Sequence, residues 1–263
     1  MLKLEFKIDK HHLAYKYVLK YFGNPEVSLE WAKLKKALAE KYEAYPGFIF
    51  FEPTEIGHGL LWFNQQLQDN AVIRDKDTVN KIFESIFKSE VFKKVYAETE
   101  DYKNRIENLW TENTTYVEEY ENIIRLNTSA KATILVLHPE IETGSYIGDS
   151  IIEWGNPDLY DNYQLVGLCH EFLHVLTEKQ FDESKTEEDK WLLHSLIYLS
   201  ADEELRLRIN GDNGYFMSGV VETYHPRLIE MAKKCLPAWK RYIYDKEEGS
   251  IIDLYENLRK NSQ

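Results

Sequence analysis

Apolar and polar positions alternate over residues 2–8, with Leu2, Leu4, Phe6 and Ile8 set against Lys3, Glu5 and Lys7. A period of two predicts a half-buried strand. From Asp9 to Phe22 and from about Val27 to Tyr45 the apolar residues recur with helical period, and Gly23-Asn24-Pro25 divides the two stretches as a turn. Pro46-Gly47 is a second break, and Phe48-Ile49-Phe50-Phe51 is a short apolar run compatible with a strand or a helix start. Residues 56–69 and 77–97 read as helices, the second with Phe83, Ile86, Phe87, Val91 and Phe92 as its core face. Residues 98–126, rich in Glu, Tyr and Asn, predict a long, partly exposed helix.

The character of the chain changes near Asn127-Thr128-Ser129. Ala132–Leu137 is a β-rich run closed by His138-Pro139. After the turn Glu142-Thr143-Gly144, Ser145–Trp154 reads as a further strand. Gly155-Asn156-Pro157-Asp158 then leads into an apolar helix, followed by helices at about 186–209, 214–232, 236–244 and 250–260. Strands followed by helices, with little alternation, indicate a mostly helical α+β fold with a small mixed sheet. No Gly/Ser linker marks a boundary. The expected division is an N-terminal, mainly helical region (1–128) that lends its first strand to the sheet, and a second region (129–263), the two forming one compact unit or two.

Within the apolar helix lies His170-Glu171-Phe172-Leu173-His174, an H-E-x-x-H pattern. A helix advances about 100° per residue, so residues four apart share one face. His170 and His174 can therefore reach one ion, and Glu171 lies beside that face, able to touch a water without ligating the metal. Leu165, Leu168, Phe172 and Leu176 form a stripe that faces a core, and Asp161 or Asn162 can cap the start. Two imidazoles and a carboxylate on a buried helix are costly without partners, and a metal relieves that cost.

Composition narrows the function classes. The net charge is −13 and the pI about 5.2, which argues against nucleic acid, whose phosphates call for a basic surface. No apolar stretch is long enough to span a membrane. Residues 1–7 lack the apolar core of a signal peptide, so a cytoplasmic location, or a leader already removed, is expected. The two cysteines, Cys169 and Cys235, fit reduced thiols; Cys169 points about 100° away from His170 and makes a poor ligand.

A catalytic zinc takes three protein ligands and keeps one position open. The next helix offers Ser200-Ala201-Asp202-Glu203-Glu204-Leu205-Arg206. On a helical wheel Leu192, Leu193, Leu196, Ile197, Leu199 and Leu207 define its buried arc. Glu203 falls roughly 35° from the centre of that arc and Glu204 roughly 65°, while Asp202 lies well outside. Two carboxylates in an apolar stripe need a reason, so Glu203 and Glu204 are the candidate third ligands, with the wheel favouring Glu203. His194, one to two turns away, reads as a packed residue or one that supports a ligand. His11, His12, His58 and His138 have no partner at ligand spacing and read as structural or exposed.

This combination of an H-E-x-x-H helix, a preceding strand and a Glu on the following helix resembles the zincin metallopeptidases, on their gluzincin side. The chain is also similar to a group of uncharacterised bacterial zincin-like proteins. Shared features are the N-terminal strand, a helix ending near Phe22-Gly23-Asn24-Pro25-Glu26, the central motif, a Glu-x-x-x-Arg helix and a later aromatic helix. Glu204 and Arg208 match the Glu-x-x-x-Arg spacing, so the resemblance favours Glu204 as ligand. The likeness is strong over about 130–235 and loose elsewhere. Thr177 and Gln180 stand where the longer metzincin motif needs Gly and His, which excludes that branch.

The resemblance implies a zincin-like fold, a bound Zn2+ and hydrolysis of peptide bonds in a peptide or protein substrate. Zinc acidifies water and polarises a carbonyl, and Glu171 would move the proton from that water to the leaving amine. Strand 145–154 would form the cleft edge and pair with an extended peptide. Tyr215, Tyr224 or His225 would stabilise the oxyanion, as related enzymes place a donor in this segment. Cu, Ni or Mn are compatible with the same ligand types. Two alternatives accompany this reading: a non-catalytic zincin-fold protein that binds zinc and recognises a partner, and a metal-free helical interaction protein. Substrate specificity and oligomeric state are not written in the pattern.

Overall fold

The computed structural model describes residues 2–14, 16, 76–126, 129–184, 186–211, 214–216, 225–245 and 248–261. The helices expected at 27–45 and 56–69, the run Phe48–Phe51, and Tyr224 lie outside the described residues. In chain order the elements are β1 (Lys3–Lys7), α1 (Lys10–Ala14), α2 (Lys76–Lys88), α3 (Glu90–Glu112), α4 (Thr114–Ile124), β2 (Lys131–Val136), β3 (Thr143–Tyr146), β4 (Ile151–Gly155), α5 (Tyr163–Leu176), α6 (Glu178–Asp182), α7 (Glu187–Tyr198), a π-helical segment (Leu199–Leu205), α8 (Arg206–Asn210), α9 (Pro226–Tyr244) and α10 (Ile251–Asn261). The fold is α+β, mostly helical with one small mixed sheet. Its residues form two compact units: Met1–Glu5, Asn108–Ala132 and Asp158–Gln263 in one, Phe6–Glu107 and Thr133–Pro157 in the other.

The four strands run in the order β1-β2-β4-β3. β2 lies parallel to β4, with Thr133 opposite Ile151 and Val136 opposite Trp154. β3 lies antiparallel to β4, with Thr143 opposite Gly155 and Tyr146 opposite Ile152. The expected single strand 145–154 is therefore a hairpin. Gly148, Asp149 and Ser150 all have positive φ (93°, 49° and 57°) and fold the chain back between β3 and β4. β4 is consequently paired on both sides and offers no free edge to a peptide; β1 and β3 are the outer strands of the described sheet. Gly144 on β3 is required by close approach, because a Cβ there would come within 2.5 Å of the Trp154 ring.

In that unit Glu153 turns inward from β4 and is 2% exposed. It meets the Lys16 ammonium at 2.7 Å and His12 Nε2 at 2.9 Å. Burial works to raise its pKa, but the hydrogen bond and charge of His12, then Lys16, outweigh it and hold the carboxyl at about 2. His11 packs its ring against Phe83 and Phe87 of α2.

The other unit is built on α5, α7, the π segment and α9. α7 starts with a capping box: Thr186 accepts from the Asp189 N–H, and the Asp189 carboxylate accepts from the Thr186 N–H. α7, the π segment and α8 form one continuous helical rod, ended by Gly211 at φ +71°. Tyr120 of α4 meets Ser200 of the π segment at 3.2 Å. α9 packs along α7, where the Ser195 hydroxyl reaches the Leu228 carbonyl at 3.3 Å. The expected separate helices 214–232 and 236–244 give way to one helix from Pro226, with Pro237 inside it.

Candidate metal centre

α5 is anchored by its apolar stripe: Leu165, Leu168 and Phe172 are buried, together with Val166, Cys169 and Leu173. Asn162 occupies the N-cap position at φ +62°, yet its side chain does not cap the helix. Its amide instead donates to Asn210 Oδ1 at 2.8 Å, tying the start of α5 to the end of α8. Farther along α5, His170 and His174 face α7.

There the two rings meet His194. The His170, His174 and His194 rings lie 4.8 to 5.3 Å apart between centroids, and one nitrogen from each falls within 4.8 Å of the others. His170 Nε2 and His194 Nε2 are 3.2 Å apart. Nitrogens each about 2.0–2.1 Å from a tetrahedral zinc would sit roughly 3.3 Å from one another. Three imidazoles with this spacing form a cluster that can hold a metal ion.

Asp202 completes the arrangement. Its Oδ2 lies 2.5 Å from His170 Nδ1, which fixes the proton on Nδ1 and leaves Nε2 to face the cluster. The reason is the π turn. In a regular α-helix Asp202 would sit roughly 80° round the axis from His194. A π turn closes i→i+5 and advances less per residue, so Leu199–Leu205 brings Asp202 back toward the His194 face. The wheel that placed Asp202 outside assumed an uninterrupted α-helix.

The electrostatics separate the three rings. Burial, then the neighbouring charges of His170 and His225, hold His194 at about 3. Burial, then His170 and His194, hold His174 well below the ordinary histidine range. Both are thus neutral, with lone pairs available. Burial also works to lower His170, but the Asp202 carboxylate outweighs it by charge and hydrogen bond, Glu171 adds to this, and the ring rises to about 9. A cation at Nε2 displaces the second ring proton, the one that Asp202 does not hold, so its binding is coupled to proton release.

Trp191, one turn before His194, stacks on it with planes 12° apart and centroids 6.2 Å apart, and the Arg227 guanidinium sits 5.4 Å from the Trp191 ring centre. Tyr163, seven residues before His170 on the same face of α5, stands edge-on to Tyr160 at 5.1 Å. Burial first, then the Asp202 charge, push both phenols above their usual range, and Glu171 adds to this for Tyr163.

The expected carboxylate ligands are held elsewhere. Glu203, fully buried, accepts from the Tyr198 hydroxyl at 2.5 Å, the Phe216 N–H at 2.7 Å and the Arg206 guanidinium at 3.2 Å. Glu204 accepts from Arg208 Nε at 2.8 Å and from the Tyr215 hydroxyl. Each carboxylate in the apolar stripe is matched by protein donors, which answers its burial without a metal. Tyr215 donates a hydrogen bond to Glu204 and also approaches Tyr244 at 3.4 Å. His225 is exposed at the N-cap of α9, near enough for its charge to act on His194. His194 and Asp202 are the functional candidates that the pattern of residues passed over; the available signal was that both lie on the rod that follows the H-E-x-x-H helix.

Comparison with family models, curated proteins and solved structures finds no match to this chain.

Proposed function

We propose that the chain is a zinc-dependent peptidase of zincin-like fold, with the metal held by His170, His174 and His194 and with Glu171 as general base. The observation that carries this reading is the convergence of three imidazole nitrogens from α5 and α7 within 4.8 Å. The donor chemistry suits zinc, which accepts neutral imidazoles in catalytic sets of three and leaves a fourth position open. When bound, zinc supplies a Lewis acid that acidifies water and polarises a carbonyl.

The chain's own residues do the rest. Glu171 follows His170 directly on α5, next to the face that carries both motif histidines. From there its carboxylate takes a proton from the attacking water and returns it to the departing amine. Asp202 keeps His170 in one tautomer and one orientation. Trp191 fixes the plane of His194. Of the expected donors to an oxyanion, His225 is the one that is exposed, at the N-cap of α9. Tyr215 is less suited, because its hydroxyl already donates to Glu204.

Replacement of the base while the metal is retained tests the proposal. Glu171→Gln should keep one zinc per chain, measured by elemental analysis. Hydrolysis of a panel of quenched peptides should fall about 10²- to 10⁴-fold. Hydrolysis unchanged in this variant overturns the assignment.

A further inference from the structure

α9 carries Arg227, Lys233, Lys234, Lys240 and Arg241 against the single Glu230, a net charge of +4 on one helix of a chain whose total is −13. The five cations are all exposed. Arg227, Lys234 and Arg241 recur every seven residues, as do Lys233 and Lys240, so they form a stripe of two rows along the solvent side of the helix, with Glu230 between the rows. The opposite side, with Leu228, Ala232, Cys235, Trp239 and Tyr242, is buried.

The stripe is ordered, and it begins at the metal centre. Lys233 lies over the Phe216 ring at 5.4 Å and Lys240 over the Tyr215 ring at 5.7 Å, while Lys234 meets Glu230 at 2.9 Å. Arg227 lies 5.4 Å from the Trp191 ring centre, and the Trp191 ring in turn stacks on His194.

We infer that the exposed face of α9 is a docking track for an acidic polypeptide segment, which it leads to the three-histidine centre. Charge complementarity selects the occupant. From Arg227 to Arg241 the track spans roughly 21 Å, the length of about six extended residues. Salt screens charges over about 8 Å, so a short segment lying on α9 is governed by the stripe and not by the net charge of the whole protein. A long nucleic acid or an anionic membrane would meet the acidic remainder of the surface as well, and is disfavoured for that reason. The docking claim stands on the stripe alone; only the statement that the docked segment is the substrate rests on the peptidase reading.

Binding measured without turnover tests it. Fluorescein-labelled Glu/Ser, Lys/Ser and Gly/Ser peptides of about ten residues would be titrated with the zinc-loaded Glu171→Gln protein and read by anisotropy. The acidic peptide should bind at least about tenfold tighter than the neutral one, and its affinity should fall as salt rises. The combined variant K233E/K234E/K240E/R241E, with Arg227 left in place, should reverse the preference toward the Lys peptide. Equal binding of all three peptides, or acidic binding that survives charge reversal, overturns the inference. So does equally tight binding of a single-stranded oligonucleotide or of phosphatidylserine vesicles. Should the reversed variant fail to fold by circular dichroism, the salt titration and peptide panel on the parent protein decide alone. Intact acidic binding with no hydrolysis would count against the peptidase and not the track; hydrolysis indifferent to the charge of the substrate would count against the track and not the peptidase.

Discussion

Asp202 Oδ2 stands 2.5 Å from His170 Nδ1, joining the π segment to the H-E-x-x-H helix through one charge-assisted contact. The contact sets which nitrogen of His170 faces the cluster, so its loss should be felt in metal affinity before stability. Asp202→Asn is expected to weaken zinc binding about 10- to 100-fold, measured by competition with a chromogenic chelator. An unchanged affinity would show that His170 is oriented by packing alone.

The third imidazole and the neighbouring carboxylates make opposite predictions about metal content. His194→Ala removes one of the three clustered nitrogens and should abolish stoichiometric zinc. Glu204→Gln leaves the cluster intact and should purify with the parental metal content, because Glu204 is engaged by Arg208 and Tyr215. Elemental analysis of both variants distinguishes them, and metal lost from the second but kept by the first would return the role to the carboxylate.

Glu203 is a structural acceptor for three donors. Glu203→Ala leaves the Arg206 guanidinium, 4% exposed, without its carboxylate, and the Tyr198 hydroxyl and Phe216 N–H without an acceptor. A buried ion pair broken on one side costs about 3–5 kcal/mol. Urea denaturation should show a loss of that order, and a loss under about 1 kcal/mol would mean that water replaces the carboxylate readily.

Acid stability follows from Glu153. Its folded pKa of about 2 lies below the unfolded value of about 4.3. A depressed carboxyl contributes stability that is fully present above the unfolded pKa and is lost as pH falls through the folded one. The difference corresponds to on the order of 3 kcal/mol, present above about pH 5 and declining toward pH 2. Denaturant midpoints measured from pH 7 down to pH 3 should fall less steeply in Glu153→Gln than in the parent. Parallel curves would place the acid sensitivity elsewhere.

Periodicity located most of the described elements because burial follows it. The alternation at residues 2–8 became β1, the β-rich run at 132–137 became β2, and the apolar helix with its motif became α5. Where it failed, local backbone geometry intervened. Three consecutive positive-φ residues, Gly148 to Ser150, cut one expected strand into a hairpin. A helix continues through residues 233–235, where a break was expected, and carries Pro237 inside it. Among the described residues no helix is long and apolar enough to cross a membrane.

The amino-acid sequence by itself determined that His170 and His174 share a helical face with Glu171 beside it, because four residues make about one helical turn whatever surrounds them. Only the tertiary structure decided what comes to meet them. That the His194 ring, and not Glu203 or Glu204, joins them depends on how α7 packs against α5, and the placement of Asp202 depends on a π turn that no side-chain period announces. The buried carboxylates signalled that something must satisfy them; which donors do so, Arg206, Arg208, Tyr198 and Tyr215, is a property of the folded arrangement in three dimensions.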